Sequence, residues 1–491
     1  MTSGGRAKPA DAVVVGSGPN GLAAAVTLAR AGLAVHVIEG ADALGGGCRT
    51  EELTLPGFRH DVCSAVHPLA AASPFFAGTG LAASGARLLT PQVAFAHPLD
   101  GGRAAAVAGS VDDTARGLGP DGPAYRRLLG PLVRDVPLAL PAILGPLLRS
   151  VPRHPAAMAR FGLEGLLPAS LLSRRLRGQE ARAMLAGAAA HALLPLTAPL
   201  TSGFGLLLLM IAHWAGWPVV EGGSSRITDA LAAELVRRGG HIETGRWVAT
   251  LDGLPPARAV LLDVTPRQFV ALAGGRLSGR QRTAMQRFRY GPGVCKVDWA
   301  LGGPVPWEAA ACREAGTVHL GGEFAEVARS ESEVAAGRHP ERPFCLIAQP
   351  GVVDPSRAPE GKQTLWGYCH VPSGSTMDMA DRIEAQVERF APGFRDLILA
   401  RRVRTAAEIE RHNPNCVGGD ISAGAGTVRQ TFFRPTMRWN PYRTSLRGIY
   451  LCSASTPPGA GVHGMCGDWA ARTVLADLGL SRPGPLTAAW A

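Results

Sequence analysis

The run Gly16-Ser17-Gly18-Pro19-Asn20-Gly21 constrains this chain more than any other feature. On its own a GxGxxG pattern is weak. Here it follows an apolar run, Ala12–Val15, that reads as a buried parallel strand. It opens Gly21–Ala31, where small and apolar residues recur at helical spacing until Gly32 offers a C-cap. A second strand, Val35–Ile38, ends on Glu39. Strand, glycine turn, helix, strand and acid in that order predict an α/β, Rossmann-type unit. Gly16 permits the tight turn, Gly18 lets the backbone approach a pyrophosphate, and Gly21 allows the helix to pack on the strand. Pro19 and Asn20 stand at the helix N-terminus, whose free N–H groups attract phosphate. Glu39, at the usual spacing of about 20 residues, is placed to accept hydrogen bonds from ribose hydroxyls. An acid there disfavours a 2′-phosphate, so FAD or NAD fits better than NADP.

Soon after Glu39 comes Gly45-Gly46-Gly47-Cys48-Arg49-Thr50, then Phe58-Arg59-His60-Asp61-Val62-Cys63-Ser64. Glycines allow close approach, and the Arg49 guanidinium can pair with phosphate as a planar fork. At the far end, Gly448-Ile449-Tyr450-Leu451-Cys452-Ser453-Ala454-Ser455-Thr456-Pro457-Pro458-Gly459 runs into Ala460-Gly461-Val462-His463-Gly464-Met465. These segments resemble those of the phytoene-desaturase and amine-oxidase group of flavoproteins, and most closely the phytoene-dehydrogenase-like branch. The resemblance selects FAD over NAD. It implies that Gly45, Gly46, Gly47 and Arg49 lie against the pyrophosphate and ribityl chain. It further implies that Ser455, Gly461, Val462 and Met465 belong to the flavin-contacting strand, loop and helix start. Val248, on a strand read over Glu243–Thr250, matches the position whose backbone meets adenine in relatives. The short link Leu251–Ala259 departs from the β-meander usual in the group.

Two residues are candidates for the chemistry. Lys296, in Tyr290-Gly291-Pro292-Gly293-Val294-Cys295-Lys296-Val297, resembles the amine-oxidase lysine that holds a water near flavin N5. The bland alternative is a lysine snorkelling at a strand end. His463 stands where amine oxidases place an aromatic cage residue, so it would orient substrate or bond the flavin carbonyl, or serve structure alone. His60, Asp61 and His67 read first as loop hydrogen-bonding groups. No metal site is expected.

Between Pro91 and Pro218 the pattern changes to proline-broken helices, among them Pro131–Ser150 and Gly162–Leu176. Ala183–Val220 carries no formal charge, and Pro195, Pro199 and Gly203 interrupt it, so a buried helix pair beside an apolar cavity is a better reading than a membrane span. Strands follow over Lys296–Ala300, Thr317–Leu320, Phe344–Gln349 and Thr364–Tyr368. The expected organisation is a discontinuous Rossmann-type (GR2) FAD-binding domain, 1–90, 219–293 and 421–491. A helical and mixed-sheet substrate domain, 91–218 and 294–420, is inserted into it.

The formal net charge of +11 rests on arginine, with lysine only at Lys8, Lys296 and Lys362. The basic residues are scattered and not interleaved with aromatics, which argues against nucleic acid and leaves peripheral contact with an anionic membrane open. The nine cysteines lie singly, without CxxC spacing, as in a reducing compartment. No secretory h-region precedes the first strand, so a cytoplasmic location is expected. Together these readings predict an FAD-dependent oxidoreductase that passes hydride from a small apolar, polyene- or lipid-like substrate to flavin N5, with oxygen or another electron acceptor reoxidising the flavin. An isomerase or saturase of such a substrate, an amine oxidase, and a non-catalytic flavin-bound interaction protein are the alternatives.

Overall fold

The computed structural model describes residues 10–80, 84–147 and 152–481. Its first element, β1 (Ala12–Val15), is covered on both faces, which is why it reads as an unbroken apolar run. Gly16, at φ +99°, turns the chain into α1 (Pro19–Arg30), with Pro19 in the first helical turn. Proline suits that turn because its missing N–H would have had no intrahelical partner. The helix stops at Ala31, and Gly32 (φ +87°) leads to β2 (Val35–Ile38).

Three later segments complete this sheet: β7 (His241–Glu243), β8 (Ala259–Leu262) and β14 (Ile449–Leu451). The order β14-β8-β1-β2-β7 is parallel throughout, with Val14 opposite Val37 on one side and Leu261 on the other. Parallel pairing brings the C-terminal ends of β1, β2 and β8 to one edge, where ligands of open α/β sheets bind.

β7 ends at Glu243, shorter than the strand read over Glu243–Thr250. Gly245, at φ +70°, hands its N–H to the Ala41 carbonyl, and Arg246 N–H binds the Glu39 carbonyl. The chain is thereby folded back over the end of β2, and Val248 lies on this irregular segment instead of on a strand.

A seven-stranded sheet carries the second hydrophobic core. It contains β5 (Val93–Leu99), β6 (Arg103–Ala108), β9 (Gly293–Leu301), β10 (Thr317–Leu320), β11 (Cys345–Ala348), β12 (Gln363–Val371) and β13 (Ile398–Arg404), ordered β13-β9-β12-β11-β10-β5-β6. Short strands β3 (Thr50–Glu51) and β4 (His60–Asp61) pair antiparallel in a separate two-stranded sheet.

The helices that matter for the site are α2 (Val136–Ile143), α3 (Pro155–Gly165), α4 (Gln179–Ala190), α5 (Thr201–Ala215), α6 (Ser225–Arg237) and α7 (Met465–Asp477). The Pro131–Ser150 segment is the tail of a helix over Gly122–Arg134 followed by α2, and its residues 148–150 lie outside the described residues, as do 1–9. Helix α4 from Ala183 onward and α5 form the uncharged buried pair, with Pro195 and Pro199 in their connection. Gly203 does not interrupt α5. It lies in the first turn, where an added Cβ would stand 2.8 Å from the Gly165 carbonyl of α3, so it serves close helix packing. Among the described residues no helix is long and apolar enough to cross a membrane.

Candidate active site

The glycine turn is held by two carboxylates. Glu39, from the end of β2, accepts hydrogen bonds at Oε2 from Ser17 N (2.8 Å) and Ser17 Oγ (2.7 Å), and at Oε1 from Ala41 N (2.9 Å). Asp263 follows β8 and was not anticipated from the sequence. Its Oδ2 accepts the Gly21 amide at 3.0 Å, and its side chain fills the concave side of the turn: a Cβ on Gly18 would lie 2.7 Å from Oδ2. Burial pushes the Asp263 carboxyl up to about 7, with the charge of Glu39 adding to the shift and the Gly21 N–H opposing it.

Close packing behind the turn is equally demanding. A Cβ on Gly21 would sit 2.2 Å from the Gly16 carbonyl, and one on Gly467 of α7 only 1.8 Å from the Asn20 carbonyl. Glycine at these positions lets α7 lie directly on the first turn of α1. Gly464, at φ +67°, is the N-cap that starts α7 in that position.

Gly45 donates its N–H to Ser17 Oγ (3.3 Å), and Gly46, at φ +53°, crosses so near Gly18 that a Cβ would be 3.1 Å from the Gly18 Cα. Arg49 is bound to its own loop, through Nε to the Leu44 carbonyl (3.2 Å) and through a terminal nitrogen to that of Ala43 (2.6 Å), and its guanidinium lies 3.8 Å from Glu39. Asp61 is tied to the Arg357 guanidinium (2.6 Å), Thr50 Oγ1 and the Ser224 amide, and His67 Nε2 to Ser224 Oγ (2.8 Å). His60, Asp61 and His67 thus serve the hydrogen bonding that fixes this loop region. Burial lowers His60 to about 3 and His67 to about 4, so both rings are neutral.

These elements enclose a continuous cavity of about 1030 Å³. It starts at Glu39, Gly40 and Ala41, passes Gly16, Gly18, Pro19, Asn20, Gly46, Gly47 and Arg49, and reaches Gly461, Val462 and His463. Beyond them it enters a space walled by Leu144, Met158, Phe161, Phe204, Leu207 and Trp217. Its volume is at the upper end of the range of about 300–1,000 Å³ for small-molecule pockets, enough for a dinucleotide and a second molecule. Val248 borders it although it is not on a strand. Gly21, Gly45, Ser455 and Met465 stand behind its wall: Ser455 Oγ binds the Ala423 carbonyl (2.8 Å), and the Met465 amide binds His463 Nδ1 (3.0 Å).

The two candidate catalytic residues are placed differently. His463 is fully buried in the cavity wall, and burial lowers it to about 4 against the pull of the Gly459 and Ala460 carbonyls, so it is a neutral ring fixed on the start of α7. Lys296 does not border the large cavity. It lines an adjoining one of about 30 Å³ that shares Gly46, Cys63, Trp366 and Tyr368 with it. Its ammonium is ion-paired with Asp298 on the same face of β9 and lies 5.5 Å from the centre of the Trp366 ring. Burial draws Lys296 down and Asp298 up, each partner resisting the shift of the other.

A Rossmann-type sheet with its glycine turn opening into one continuous cavity is the architecture of a nucleotide-binding protein. Residues 14–76 match the model of the NAD(P)-binding Rossmann-like domain family. Over 96% of this chain and 95% of the relative, the sequence is 26% identical to the mouse (Mus musculus) pyridine nucleotide-disulfide oxidoreductase domain-containing protein 2. Over 57% of this chain and 59% of the relative, it is 25% identical to a lycopene-forming phytoene desaturase of a Paracoccus species. The fold is similar to that of cyclohexylamine oxidase from Brevibacterium oxydans, with a TM-score of 0.59 at 16% identity over 96% of this chain and all of that one (100%). The chain is an oxidoreductase, similar in sequence to a phytoene desaturase and in fold to an amine oxidase.

Proposed function

We propose that this protein binds FAD and dehydrogenates or oxidises an apolar, polyene- or lipid-like molecule. The observation that carries the reading is the continuity of one cavity from Glu39 through the glycine cradle to the apolar space between α2, α3 and α5. A dinucleotide along the first part would present its reactive ring at the boundary with the second.

The residues fit such a cofactor. Gly16, Gly18 and Gly46 leave backbone without side chains facing the cavity, and Pro19 and Asn20 put the N-terminus of α1 beside it. Glu39 and Val248 border the adenosine end, and Gly461 and Val462 the other. When bound, the isoalloxazine supplies the hydride acceptor at N5. The chain's part is to bind, to orient and to keep water from the apolar end. In this reading His463 orients the reacting groups from the wall, and Lys296 acts through the small adjoining cavity. In this reading the cofactor domain is 1–90, 219–293 and 421–491, built among the described residues on the first sheet and its helices. Residues 91–218 and 294–420 are the substrate domain.

The test is an absorbance spectrum of the purified protein, followed by denaturation and identification of the released cofactor. The expected result is a yellow protein yielding FAD, whose colour an apolar substrate bleaches under anaerobic conditions. A colourless protein that also fails to take up added FAD overturns the reading.

A further inference from the structure

Behind the apolar end of the cavity lies a histidine cluster that the nucleotide site does not use. His191 caps the C-terminus of α4 and lines the cavity. Its Nε2 is 3.0 Å from Nε2 of the fully buried His319 on β10. His97 on β5 lies alongside, because β5 and β10 pair in parallel through Ala96 and Val318. Its Nε2 is 2.7 Å from the Gly322 carbonyl. His97 Nδ1 and His319 Nδ1 are buried without hydrogen-bond partners. Both converge on Gly187 of α4, where an added Cβ would stand 2.7 Å from the first and 2.9 Å from the second. Only glycine there lets the helix close over the rings.

The contacts favour one arrangement of the protons. A carbonyl only accepts, so His97 Nε2 carries the proton. Burial lowers this ring to about 4, so it is neutral and its Nδ1 holds a lone pair. His319 Nδ1 faces the same notch, and that lone pair favours a proton on it. His319 Nε2 is then the acceptor in the 3.0 Å contact, and His191 Nε2 the donor. Burial lowers His191 to about 3, so this ring too is neutral. The nitrogen left over, His191 Nδ1, carries a lone pair on a residue whose neighbours in the cavity include Leu193, Trp217 and Leu346.

We propose that His191 is a hydroxyl-binding subsite: it accepts a hydrogen bond from the single O–H group of an otherwise apolar molecule, with His319 and His97 holding its ring in the accepting tautomer. The proposal rests on reading the apolar end of the cavity as the substrate site. It narrows the substrate from any hydrocarbon to a hydroxylated one. A purely apolar wall would gain nothing from a backing chain of three imidazoles, each of which costs desolvation.

Equilibrium dialysis of radiolabelled 1-decanol, decane and decyl methyl ether against the purified protein tests this. The alcohol is expected to bind about ten-fold more tightly than the alkane, as one added hydrogen bond gives. The ether, which has an oxygen but no proton to donate, is expected to bind like the alkane. In His191→Phe the alcohol is expected to fall to the alkane level while alkane binding is kept. Equal binding of alcohol and alkane, tight binding of the ether, or no saturable binding of the alcohol overturns the proposal. The ether comparison is made on the unmutated protein and does not depend on the variant folding. Because the readout is binding, colourless protein that fails to take up added FAD yet shows this pattern would overturn the flavin reading and leave the hydroxyl subsite standing.

Discussion

Asp263 Oδ2 accepts the Gly21 amide at 3.0 Å although 242 residues of chain separate the two. The contact joins the end of β8 to the first turn of α1 and puts a buried carboxyl beside the backbone expected to receive a pyrophosphate. Its value of about 7 is well above the ordinary 3.8. Between those two values the native protein holds a proton that the unfolded chain has lost. The stability contributed by this group therefore falls as pH rises from about 4 to about 7, and stays low above that. Asp263→Asn keeps an oxygen for the Gly21 N–H and removes the ionisation. The variant is expected to be more stable than the parent at pH 8, by at most about 4 kcal/mol, and to match it near pH 4.5. Urea unfolding at both pH values measures this, and a difference independent of pH would refute it.

Lys296 and Asp298 form a buried pair whose removal in halves and as a whole should differ. Lys296→Met leaves the Asp298 carboxylate unpaired and is expected to cost about 3–5 kcal/mol. Adding Asp298→Leu is expected to restore most of the loss, since no isolated charge remains. Denaturant midpoints of the single and double variants check this; a double variant as unstable as the single contradicts it.

Gly467→Ala should be among the most damaging single-methyl changes in the chain. The added carbon would lie 1.8 Å from the Asn20 carbonyl, so α1 and α7 must separate. We expect a loss of at least about 3 kcal/mol, at the top of the usual range for overpacking, together with loss of bound flavin. Thermal unfolding and the visible spectrum report the two effects separately.

Gly162 of α3 offers the opposite case. It borders the cavity, and a Cβ there meets nothing within 4 Å. Gly162→Leu is expected to keep or raise stability, because leucine gains close to 1 kcal/mol over glycine in a helix. It should weaken binding of decanol by filling its space. Unchanged decanol affinity in a folded variant would show that this wall is not part of the site.

The glycine-turn half of the cavity was legible because it is local. The turn, α1, β2 and Glu39 are set by residues within one βαβ unit, and their spacing carries the geometry. Asp263 and Gly467 were not, because each acts on the glycine turn from hundreds of residues away and has no pattern of its own. Val248 was assigned to a strand over Glu243–Thr250. The left-handed turn at Gly245 instead folds the segment back onto the end of β2. Gly203 was read as a break, yet it serves packing inside α5. The histidine cluster is invisible in sequence, since 97, 191 and 319 meet only through strand pairing and the bare Cα of Gly187.

The first sheet is ordered so that β1, the earliest strand, is flanked on one side by β8 and then β14, the latest. During synthesis the glycine turn emerges from the ribosome long before the strand that carries Asp263 or the helix that carries Gly467. A nascent chain can build the βαβ unit at once, but the cradle is open until α7 has been made. In the FAD reading, cofactor capture waits for the helix that carries Gly467, and a ribosome-stalled product ending before Met465 should emerge colourless whatever the flavin supply.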